Sequence, residues 1–142
     1  MELLLFSYEK RYNGFEVKLI IAGTRHFQDY GKLCEVLNMI PTPSSIISGK
    51  ARGADSLGER YATDNHISVI ECPAKWDKYG KRAGYLRNEE MAKIADACIV
   101  FWDGESRGSK HMIEISKEHG LDTWVFMYNE DKLLSWKKSN LF

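Results

Sequence analysis

Two absences bound the chain before any motif is considered. It has no excess of charge: twenty Lys and Arg are balanced by twenty Asp and Glu, so no overall field draws it to DNA or to an acidic membrane. It has no long apolar run either. Leu3 to Phe6 and Leu19 to Ala22 are far too short to cross a bilayer. Met1 to Phe6 lacks the basic start and full-length apolar stretch of a signal peptide, and the expected location is the cytoplasm. Cysteine is scarce. Cys34, Cys72 and Cys98 are widely spaced and form no Cys-x-x-Cys pair, which excludes a disulfide framework and a zinc ribbon and leaves buried thiols. His26, His66, His111 and His119 show no metal-binding spacing, so neither a metal nor a cofactor is expected. Repeats, low-complexity tracts and linkers are also missing. The 142 residues, 44% hydrophobic, read as a single domain. Residues 1–16 form an edge extension to it and 129–142 a C-terminal extension.

What is present is alternation. Val17 to Ala22, Ser45 to Ser48, Ile67 to Cys72, Ala97 to Trp102 and Thr123 to Tyr128 are short apolar segments of the kind that fill a parallel sheet. Between them lie helical patterns. The first is capped by Asp29, carries Leu33, Val36, Leu37 and Ile40, and is stopped by Pro41 and Pro43. A second runs to about Asn65 with Ala54, Leu57, Tyr61 and Ala62 on one face. A third, Tyr85 to Ile94, turns Leu86, Met91, Ile94 and Ala95 inward. A fourth, with Met112, Ile113, Ile115 and Ser116, ends at Gly120. Residues 74–84 read as a long, functional loop. Asn13-Gly14 is a hairpin signal that suggests an antiparallel N-terminal edge strand, and residues 129–142 suggest a short helix. The fold class is therefore α/β, a Rossmann-like three-layer sandwich with about five mostly parallel strands.

Ligands of such sheets sit beyond the carboxyl ends of the strands. Three of those ends carry glycine-rich turns: Gly23-Thr24-Arg25, Ser48 to Asp55, and Gly104 to Ser109. Glycine lets backbone approach a ligand closely, and a helix starting at such a turn offers free N–H groups to an anion. Gly49, Gly53, Gly104 and Gly108 could admit phosphate oxygens, with hydroxyl groups from Ser48, Ser106 and Ser109. Arg25, Arg52 and Arg107 could clamp phosphate, or be solvated surface charges. Lys50 could equally be solvent-facing, and His26 stands at the same rim. Asp55 fits a ribose hydroxyl or a helix N-terminus. Asp103 fits a general base, a ribose contact or a loop brace. Trp76, beside Tyr79, could stack a base or pack as a lid.

The residues Gly23-Thr24-Arg25, Ser48 to Asp55, Ala83 to Met91 and Asp103 to Ser109 together resemble the YspA/YpsA-related branch of the SLOG superfamily, which joins Smf/DprA with the Lonely guy phosphoribohydrolases. The resemblance spans roughly residues 17 to 128. It implies a Rossmann-like fold and a nucleotide or nucleotide-derived ligand, without fixing one reaction. In the hydrolase branch, an arginine before a Glu-x-Met-type helix precedes a Gly-Gly-x-Gly-Thr-x-x-Glu loop. Arg87 with Met91 fits the first part and Gly108-Ser109 the Gly-Thr pair, with Asn88 beside Arg87 at the rim. Met112 stands where the glutamate belongs, and Glu114 is the nearest acid. Two residues of register turn a helical side chain by about 200°, so Glu114 does not simply inherit that place.

The leading expectation is a binding or sensing module for a nucleotide-derived phosphate, which pairs with a copy of itself and leaves nucleic acid and membrane alone. One alternative is an N-glycosidic hydrolase using Asp103, Glu114 and Arg87. The other is a Smf/DprA-like module for single-stranded DNA.

Overall fold

The computed structural model describes residues 16–137, so the Asn13-Gly14 hairpin falls outside the described residues. Six strands form one sheet: β1 (Lys18–Gly23), β2 (Ser45–Ser48), β3 (Ser68–Glu71), β4 (Ala97–Trp102), β5 (Asp122–Met127) and β6 (Lys132–Trp136). Their order is β3-β2-β1-β4-β5-β6. Every neighbouring pair is parallel except β5 and β6.

Alternation along the central strands divides the core. Leu19, Ile21, Ile46, Ile99 and Phe101 face helices α1 (Tyr30–Leu37) and α2 (Ala54–Asp64). Ile20, Ile47, Cys98 and Val100 face the opposite layer, which holds α4 (Ala83–Ile94) and α5 (Arg107–Glu118). This is the expected three-layer arrangement, in which a period-2 strand supplies both cores at once. Local signals set the helix ends. Asp29 Oδ1 accepts from Lys32 N at 3.0 Å at the start of α1, Ser106 caps α5, and Gly120, at φ 71°, follows its last turn. Cys72 and Cys98 are buried free thiols, and burial pushes Cys98 up to about 12.

Three expectations are corrected. Residues 74–84 are not an open loop. Trp76–Tyr79 forms a single helical turn, α3, and Gly80–Arg82 a 3₁₀ turn that runs into α4. Gly80 and Gly84 read as turn residues and masked the helical path. Within α4, Ile94 is 42% exposed, and Ala83, Asn88, Met91 and Ala92 are the buried residues. At the C-terminal end, Lys132–Trp136 is not helical but a strand pairing antiparallel with β5. Its Leu133 packs on one core and its Leu134 on the other, so a strand covered on both faces hides its alternation behind two adjacent leucines. The sheet's antiparallel edge among the described residues is this C-terminal strand, and the expected N-terminal edge strand lies outside them.

Among the described residues no helix is long and apolar enough to cross a membrane.

Candidate functional site

The chain moves outward from β1 to β2 and β3, then crosses back to β4. Strand order therefore reverses between β1 and β4, and their carboxyl ends open a crevice there. A cleft of about 550 Å³ occupies it. Gly23, Thr24 and Arg25 enter from the loop after β1, Asp55 from the first turn of α2, and Trp76 from α3. Arg87 and Asn88 enter from α4; Asp103, Ser106, Gly108 and Ser109 come from the turn between β4 and α5. Gly49 and Arg52 line a smaller annex that adjoins it.

The β1–α1 loop and the β2–α2 turn are packed back to back. Gly53 caps α2 at φ 75°, and any Cβ there would strike the Thr24 and Arg25 backbone carbonyls, so glycine is required by conformation and by space. Thr24 in turn ties β1 to β4: its N–H donates to Phe101 O at 2.9 Å, and its Oγ1 accepts from Asp103 N at 3.2 Å.

Asp103 braces its own loop. Its Oδ1 accepts from Glu105 N at 2.9 Å and Ser106 N at 2.8 Å. Burial pulls its pKa upward, but those backbone N–H groups outweigh it and hold the carboxyl below the usual range. The loop thereby presents the start of α5. Ser106 Oγ accepts from Ser109 N at a long 3.5 Å, and Trp102 Nε1 fixes Ser106 O at 3.0 Å. Ser109 is 4% exposed and lines the cleft, and its Oγ has no hydrogen-bond partner among the described residues.

Asn88 joins α4 to this turn. Its Nδ2 donates to Gly108 O at 3.3 Å and lies 3.1 Å from His111 Nδ1, while its Oδ1 accepts from Arg87 Nε at 3.1 Å. Arg87 Nη1 donates to Gly49 O. Burial lowers the Arg87 pKa, against the pull of Asp55, and the nearby Arg25 adds to the lowering. Burial pushes the Asp55 carboxyl up to about 6, against the Arg87 charge and the Ala51 N–H.

Several expected residues stand elsewhere. Ser48 is buried and lines neither chamber; its Oγ donates to Glu59 Oε2 at 2.6 Å and accepts from Lys50 N at 3.1 Å, bracing the turn. Lys50 is held by Glu59 at 2.9 Å and Glu71 at 3.3 Å. Gly53 and Gly104 shape turns without lining the cavity. Glu114 is exposed on α5 and lines neither chamber, whereas Met112 does line the cleft. The helical rotation between the two positions accounts for that difference. Sequence reasoning missed Tyr85, Lys81 and Glu105, all at the cleft. Tyr85 sits edge-on to His111 at 4.5 Å between ring centroids. In the sequence it stands out only as the start of the helical pattern that carries Arg87.

A family model described as "YspA, cpYpsA-related SLOG family" matches residues 17–79. The "Gene 61 protein" of Mycobacterium phage D29 is 31% identical over 114 residues, which cover 73% of this chain and 91% of that protein. The chain belongs to this SLOG family. Membership associates it with the binding or processing of nucleotide-related ligands. The matched segment holds the first two glycine turns and ends within α3, so it includes Arg25, Asp55 and Trp76. No solved structure matches the chain. Among the described residues, no three His, Cys, Asp or Glu side chains are grouped to hold a metal ion.

Proposed function

We propose that this SLOG domain binds a nucleotide-derived phosphate in the cleft, with the phosphate seated on the start of α5. The observation that carries the reading is Ser109, a residue of the cleft wall whose Oγ is buried and has no hydrogen-bond partner among the described residues. A buried polar atom without a partner is costly, and an incoming oxygen would relieve it. The same helix start leaves its first N–H groups without intrahelical acceptors, and Ser106 Oγ takes only that of Ser109. Backbone N–H, hydroxyl and helix dipole then act on one anion, and Arg25 and Arg87 line the same cleft. Trp76, 48% exposed at the rim, offers a face to the base.

Binding or sensing is favoured over efficient turnover by the carboxylates. Asp103 is occupied with its loop, Glu114 is off the cleft, and Met112 fills the place of the hydrolase glutamate. The hydrolase reading rests on Asp55, whose raised carboxyl lines the cleft and could donate a proton to a departing base.

The test is calorimetric titration of the purified chain with nucleoside monophosphates and diphosphates, followed by chromatography of the same samples. Saturable binding with intact nucleotide is expected. Release of free base would move the assignment to the hydrolase reading, and absence of any binding would overturn both.

A further inference from the structure

The cleft does not close at Arg25 and Arg87. Past them it continues into the annex of about 310 Å³, bounded by the turn Gly49 to Arg52 on one side and by Pro73 and Ala74 on the other. Arg25, Ala51, Trp76 and Arg87 belong to the walls of both chambers.

The two chambers differ in charge. Asp55, Asp103 and Glu105 line the main cleft, but among the described residues no carboxylate lines the annex. The cations there are Arg25, Lys50, Arg52 and Arg87. Lys50 is neutralised by Glu59 and Glu71. Arg25 and Arg52 form no ion pair among the described residues. Arg87 spends one nitrogen on Gly49 O and another on Asn88. In the annex wall Arg25 and Arg87 repel each other, and Asp55 offsets the charge of Arg87 from beside Gly49; a planar fork of donors suits a bidentate oxyanion. The start of α5, with Ser109, is not part of this wall. Ser109 lines only the main cleft and Arg52 only the annex.

We propose that the site takes a nucleotide carrying two separated phosphate groups, one on the start of α5 and the other in the annex between Arg25 and Arg52, with the body of the ligand passing beneath Trp76. This rests on the nucleotide reading above and adds the second anion to it.

The experiment compares adenosine and guanosine 5′-monophosphates with the matching 3′,5′-bisphosphates by calorimetry, on the wild-type chain and on Arg52→Ala. Arg52 is exposed, so its removal leaves the fold in place. The bisphosphate should bind the wild type at least tenfold more tightly than the monophosphate. Arg52→Ala should weaken the bisphosphate at least fivefold more than the monophosphate. Equal affinities for the two ligands on the wild type would overturn the second-anion site while leaving the nucleotide reading standing, as would an equal loss for both on Arg52→Ala. Failure of every nucleotide to bind would overturn the nucleotide reading, and this inference with it.

Discussion

Arg87 and Asp55 converge on the α-carbon of Gly49. A methyl group placed there would lie 2.7 Å from Arg87 Nη1 and 2.9 Å from Asp55 Oδ2. A guanidinium from α4 and a carboxylate from α2 thus meet beside one glycine of the annex wall.

Gly49→Ala should therefore push the Arg87 side chain out of position. A stability loss of about 1–2 kcal/mol is expected from the overpacking, together with a nucleotide affinity reduced by about tenfold, the equivalent of ~1.4 kcal/mol. Thermal unfolding and calorimetry read the two effects. Unchanged affinity would show that Arg87 does not reach the ligand.

Ser109→Ala should separate binding from stability. Removing an unpartnered buried hydroxyl is neutral or slightly stabilising, by up to about 1 kcal/mol, whereas losing a hydrogen bond to a charged phosphate costs ~1.5–3 kcal/mol. The variant should keep or raise its midpoint in urea and bind nucleotide about 10- to 100-fold more weakly. A loss of stability with binding intact would mean that the hydroxyl serves the core instead.

Asp55 should tie stability to pH. Its folded pKa, about 6, is raised above its ordinary value of 3.8. The proton is thus held more tightly in the folded state. The resulting stabilisation is complete below about pH 4 and is lost as pH rises through about 6, by at most ~3 kcal/mol. In Asp55→Asn that fall should be absent. Urea unfolding of both proteins from pH 4 to 7 gives the difference, and parallel curves would contradict the buried, weakly acidic carboxyl.

Asp103→Ala should act on the loop. It removes the acceptor for Glu105 N and Ser106 N, at a cost of about 1–3 kcal/mol. Asp103→Asn, which keeps a side-chain oxygen, should recover most of it. If the asparagine variant were as damaging as alanine, the charge rather than the acceptor would matter.

Much of this arrangement could be read from the sequence because it rests on local signals. Asp29 before an apolar 3.6-residue pattern and the five apolar segments gave the α/β layering. The three glycine turns fell at strand ends, and the topological reversal between β1 and β4 brings parts of all three to one crevice. Three features were hidden, each for a physical reason. The helical path through residues 76–82 is interrupted by Gly80. Strand β6 is covered on both faces, so Leu133 and Leu134 do not alternate with polar residues. The bracing roles of Ser48 and Asn88 depend on Glu59, Gly108 and His111, partners 11 to 23 residues away that no local pattern connects. The annex was hidden too, since Arg25 and Arg87 are far apart in sequence and come together only in the fold.

The most direct measurement is of backbone amide resonances by ¹H–¹⁵N NMR during titration with a nucleoside 5′-monophosphate. Shifts concentrated at Arg107, Gly108 and Ser109, with accompanying changes at Arg25 and in the Trp76 indole, are the expected result. Saturable shifts confined to another surface, with the start of α5 unmoved, would contradict the phosphate seat.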